Sequence, residues 1–115
     1  MEKFLLILRQ VATRRTTGTP EEWPGDIPVM LEWIHFLSES GNYCGGAPLA
    51  IFGRQVTKEK VIEDYSWGEA YGGILGYDVI LAENMNQAVS IAQTCPLVMN
   101  GIAVREVRPI LALTR

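Results

Sequence analysis

At 115 residues the chain has the length of one ordinary domain, and residues 1–115 read as a single unit with one core. Hydrophobic residues at 48% and charged residues at 20% exclude a disordered chain. The net charge is −3 and the basic residues are scattered, with Arg14-Arg15 the nearest approach to a patch, so nucleic acid is excluded as a partner.

Met1-Glu2-Lys3 followed by Phe4-Leu5-Leu6-Ile7-Leu8 has the look of a short export signal, but the apolar stretch runs straight into Arg9 with no small-residue cleavage site. It reads instead as a first strand, Phe4 to Arg9, apolar throughout and hence covered on both faces. A polar Thr/Arg loop follows from Val11 to Gly18. Thr19-Pro20-Glu21-Glu22 carries helix-start chemistry, Pro24-Gly25 interrupts it, and Asp26-Ile27-Pro28 offers a second start. From 28 to 40 the spacing predicts a helix with Val29, Met30, Trp33, Ile34, Phe36 and Leu37 on one wide stripe. Glu32, His35 and Glu39 lie opposite, and Gly41 ends it.

Tyr43 to Gly53 reads as a strand entered through the Gly45-Gly46 bend, and Gln55 to Glu63 as a short hairpin around Lys58-Glu59. Ile74 to Ala82 is a strand in which Leu75, Tyr77, Val79 and Leu81 alternate with Gly76, Asp78 and Ile80. Asn84 and Gln87 cap a second helix whose apolar face is Met85, Ala88, Val89, Ala92 and Cys95, with Pro96 ending it. Ile102 to Ile110 is a final strand that tolerates Pro109 as an edge strand does. No run is long enough to span a bilayer, so no membrane association is expected. Cys44 and Cys95 form neither a disulfide framework nor a metal cluster; both read as free thiols, which fits a cytoplasmic protein.

Two βαβ-like halves of this size predict an α+β, ferredoxin-like two-layer sandwich: an antiparallel sheet with two helices on one face. The other face is left bare, and its Leu, Ile, Tyr and Val side chains call for a cover. A homodimer through the open sheet face supplies one and encloses a concave site for a small organic ligand.

Gly45-Gly46-Ala47-Pro48-Leu49, Gly76-Tyr77, Cys95-Pro96 and Glu106-Val107-Arg108-Pro109 occur in an order and spacing that resembles the YCII-related family, in the subgroup named for its DGPF tetrapeptide. The resemblance covers nearly the whole chain and implies a ferredoxin-like domain forming a dimeric α+β barrel. In this sequence the tetrapeptide slot holds Asp64-Tyr65-Ser66-Trp67; Glu69 is kept, while the following Lys-Glu positions hold Tyr71-Gly72. Some relatives of that type carry a His on the first helix and an Asp before the closing Pro, and those places here hold Leu31 and Cys95. The acid/base dyad of those relatives is therefore absent.

Asp64 is the candidate catalytic residue, since a carboxylate among aromatics can bind its proton more tightly and act as acid or base. The alternative is a carboxylate that caps a turn. Tyr65, Ser66, Trp67, Glu69 and Tyr77 are the candidate pocket residues, with Tyr65 or Ser66 as donor to an oxyanion, and Arg108 either anchors an anion or pairs across the sheet. His35, the single histidine, stands at helical spacing from Glu32 and Glu39 on a solvated face. Cys95 reads as core and Cys44 as structural. The glycines from Gly72 to Gly76 precede no helix and so build no phosphate cradle. No cofactor and no metal site is expected, and haem ligation is disfavoured by the position of His35. Two functions fit: a small-molecule-binding protein, extending to a cofactor-free acid/base enzyme, or a non-catalytic ligand-binding, assembly or regulatory module.

Overall fold

The computed structural model describes residues 1–10, 27–50, 52–66 and 73–112, with the side chains of 10, 52 and 63–66 left out. In chain order the elements are β1 (Glu2–Gln10), α1 (Ile27–Glu39), β2 (Tyr43–Pro48), β3 (Phe52–Val56), β4 (Val61–Ser66), β5 (Ile74–Ala82), α2 (Met85–Gln93), α3 (Pro96–Met99) and β6 (Ala103–Pro109). The main sheet has the order β2-β5-β1-β6 and is antiparallel throughout. With the β3-β4 hairpin set aside as an insertion, this strand order and the helix placement are those of the ferredoxin-like fold.

Local signals fix most boundaries. Gly41 takes a φ of 80°, open to glycine at no cost, and Asn42 N–H then closes α1 by donating to Leu37 O at 2.9 Å. Asn84 Oδ1 accepts from Gln87 N–H at 2.9 Å, and Gln87 Oε1 in turn accepts from Glu83 N–H, so the start of α2 is held reciprocally. Thr57 and Lys60 close the hairpin turn through Thr57 N–H to Lys60 O at 2.8 Å.

The single strand expected over Tyr43 to Gly53 is two strands in two sheets. Pro48 has no N–H to extend the ladder; Leu49 N–H makes one further bond to Leu75 O at 2.8 Å, and the chain then leaves for the hairpin. Pro96 does not merely end α2. It opens α3 with Cys95 at the N-cap, because a ring-fixed φ suits a first helical position. The apolar stripe of α1 is narrower than its sequence suggests: Trp33 and Leu37 are buried, while Phe36 is 68% exposed. His35 is exposed and pairs with Glu39 one turn on, as a solvated face requires.

Phe4, Leu6 and Leu8 of β1 face the helices and form the core with Trp33, Leu37, Ile80, Ala88 and Leu97. On β5 the helix side receives Gly76, Asp78, Ile80 and Ala82, leaving Tyr77, Val79 and Leu81 for the opposite face. A carboxylate therefore enters the buried layer. Among the described residues no helix is long and apolar enough to cross a membrane.

Candidate functional site

A cleft between α1 and the sheet holds a cavity of about 150 Å³. Met30, Leu31 and Ile34 of α1 form one wall, and Leu75 of β5 and Leu97 of α3 extend the apolar lining. Tyr43, Asp78 and Arg105 supply its polar groups, from β2, β5 and β6.

These three side chains make a connected network. Tyr43 Oη donates to Asp78 Oδ1 at 2.7 Å, and Arg105 Nη2 pairs with Asp78 Oδ2 at 2.8 Å. The side chains of Arg105 and Asp78 are 2% and 7% exposed, so the ion pair is out of water. The register explains how β6 reaches β5 across the intervening strand. Asp78 stands opposite Leu6 and Arg105 opposite Leu8, so the guanidinium crosses β1 and its Nη1 donates to Leu6 O at 3.2 Å. It lies over the Trp33 ring at 5.3 Å from the centroid, and Trp33 Nε1 donates to Thr94 Oγ1 at 2.8 Å. Arg105 Nη2 also approaches Cys95 Sγ at 3.5 Å, and the Cys95 thiol faces Met30 Sδ at 4.0 Å.

Gly46 makes room for the carboxylate. A Cβ there would overlap Asp78 Oδ1 and the Tyr77 carbonyl, both rigidly held, so this β2 position admits no side chain without displacing the network. Burial pushes the Asp78 carboxyl above its ordinary value, and Arg105 and the Tyr43 hydroxyl offset that only in part. Burial, followed by the hydrogen bond to Asp78, pushes the Tyr43 hydroxyl up as well, so it keeps its proton as the donor of the pair.

Of the residues singled out in the sequence, Tyr77 borders the cavity from β5, although alternation turns its side chain to the sheet face away from α1. Asp64, Tyr65 and Ser66 lie on β4, within a strand of the separate two-stranded sheet, and their side chains are outside the described residues. Trp67 and Glu69 lie wholly outside them. Arg108 is exposed on β6, with its Nη1 3.7 Å from Glu106 Oε2, and Glu106 also binds Arg9 Nε at 2.8 Å. Sequence reasoning passed over Tyr43, Asp78 and Arg105. The available signal was one charge of each sign among apolar neighbours on the same strand face: Asp78 with Gly76 and Ile80, Arg105 with Ala103 and Val107. Leu31 and Cys95, the places where the resemblance sought a dyad, both lie at the site. Leu31 lines the cavity and Cys95 touches Arg105. Among the described residues no group of three or more His, Cys, Asp or Glu could hold a metal ion.

The fold is similar to that of a solved structure, the 5-chloro-2-hydroxyhydroquinone dehydrochlorinase of Burkholderia phenoliruptrix AC1100 in complex with 2,5-dihydroxybenzoquinone. The TM-score is 0.58 at 13% identity, covering 96% of this chain and 95% of that one. The likeness is one of fold. No family model matches the sequence, and no curated protein matches it.

The raised Asp78 carboxyl gives a pH dependence of defined sign. The folded chain holds that proton more tightly than the unfolded chain, so its contribution to stability is full below the ordinary value of 3.8 and declines as pH rises through the raised one. Urea unfolding of the wild type should therefore lose stability relative to Asp78→Asn as pH climbs from about 4. Parallel profiles for the two proteins would contradict the assignment.

Proposed function

We propose that this protein binds a small, largely apolar organic molecule, about one ring in size, in the cleft between α1 and the sheet. The observation that carries the reading is an apolar cavity of about 150 Å³ with a buried Tyr43-Asp78-Arg105 network in its wall. Ligand sites combine these features: apolar lining for affinity and a few fixed polar groups for orientation. A cavity of this size accepts a benzene-sized ring. The structural neighbour was solved with a one-ring ligand, which supports the same use of the fold here. Support also comes from Leu31 and Cys95, since the positions that the YCII-related resemblance marks for chemistry fall beside this cavity.

We assign proton exchange with the ligand to Asp78. Its carboxyl is a stronger base than an ordinary one because burial disfavours its charge, and a general base gains from a proton affinity nearer neutral pH. Arg105 holds the carboxylate in place, and Tyr43 orients it from the other oxygen. The working form in this reading is a cytoplasmic homodimer of the YCII-related type joined through the open sheet face. Tyr77, Val104 and Ile110 are exposed, and pairing two such sheets would take them from water.

A thermal-shift screen of one-ring metabolites tests the binding reading. A ligand at about a hundred times its dissociation constant adds roughly 2.7 kcal/mol, a shift of several degrees for a domain of this size. Leu31 is half exposed at the rim, so Leu31→Trp should fold normally, close the cleft and abolish the hit. A hit kept in Leu31→Trp but lost in Asp64→Ala would move the site to β4. No hits at all would favour an assembly module. For the dimer, light scattering at micromolar concentration should return twice the chain mass of 12.8 kDa, and a monomeric mass would refute it.

A further inference from the structure

Arg105 spends its terminal nitrogens inside the protein: Nη1 on Leu6 O at 3.2 Å, Nη2 on Asp78 Oδ2 at 2.8 Å and Cys95 Sγ at 3.5 Å. Its Nε–H is buried and has no partner among the described residues. Buried donors in folded proteins are nearly always satisfied, and an unmade bond from a charged group is especially costly. Arg105 borders the cavity, and Nε itself is closed to water, so a ligand oxygen takes that proton donor where the wall yields to it.

The rest of the wall says what else the oxygen carries. Tyr43 has committed its proton to Asp78 Oδ1, so the Tyr43 oxygen and the carboxylate present acceptor lone pairs. The charge of Arg105 is already matched by Asp78, so a second anion would sit beside a carboxylate in an apolar site with no further cation among its described lining residues. A hydroxyl is the small uncharged group that accepts one hydrogen bond and donates another. Resting on the binding reading above, we propose that the cavity selects an uncharged ring bearing a hydroxyl, whose oxygen accepts from Arg105 Nε while its proton goes to the acceptors of Asp78 and Tyr43.

The test compares phenol with its isostere toluene and with benzoate, by titration calorimetry on the full chain. In a plain apolar cavity the hydroxyl is a burden, because its lost hydration is not repaid, and toluene binds better. The proposal expects the reverse, with phenol about tenfold tighter than toluene and benzoate far weaker. Arg105→Lys keeps a cation for Asp78 but removes Nε–H, and should erase the preference for phenol. Should that variant fail to fold, the Arg105 Nε–H resonance of ¹⁵N-labelled wild type decides: it should move with phenol and stay in place with toluene. Toluene binding as well as phenol, benzoate matching phenol, or an unmoved Nε–H would each overturn the proposal while leaving the binding reading intact. If neither phenol nor toluene binds, both readings fall together.

Discussion

The ion pair between Asp78 and Arg105 is the constraint around which the helix-facing layer is arranged. Two opposite charges taken out of water are tolerated when they are close and when their remaining donors and acceptors are satisfied. Here the separation is 2.8 Å, and the surroundings supply the Tyr43 hydroxyl, Leu6 O, Cys95 Sγ and the Trp33 ring. Those partners come from β1, β2, α1 and the segment before α3. The pair thus reaches nearly every element around the core. Gly46 follows from it too, since only a residue without a side chain leaves space for the carboxylate.

The same constraint connects fold to function. A buried charge pair is a costly way to fill a core, and apolar residues of similar volume often serve as well or better. Its placement in the wall of a cavity gives it a use, because the low dielectric that makes the charges costly also strengthens any hydrogen bond to a ligand. The carboxyl is raised by that burial, and the Arg105 Nε–H is left without a partner among the described residues. In the proposed reading an otherwise apolar pocket thereby gains direction: a ring fits by shape, and its polar substituent sets the orientation.

Features decided by neighbours in sequence were legible there. The stop at Gly41, the Asn84-Gln87 cap, the hairpin around Lys58-Glu59 and the four strands of the main sheet depend on local chemistry, and their order led to the ferredoxin-like arrangement. Pro48 and Pro96 were harder, because proline can end one element or begin another, and the surrounding structure chooses. The site was the least legible part. In β5 both alternating sets contain apolar residues, so periodicity could not say which face was buried. Asp78 read only as one member of an alternating set, because its partner Arg105 lies on a strand far along the chain and meets it across β1. Tyr77 was chosen for its aromatic ring, which alternation places on the face away from the helices, while the carboxylate beside it in sequence was passed over for Asp64, which the family resemblance had highlighted.

The most direct measurement of this account is a double-mutant cycle on the buried pair, with Asp78→Leu, Arg105→Met and the two combined, each unfolded in urea. Either single change strands a charge in the core and should cost about 3–5 kcal/mol, whereas the double change removes both charges and should be more stable than either single variant. If the two losses instead add to within about 0.5 kcal/mol, Asp78 and Arg105 act independently, and the network proposed as the wall of the site does not exist.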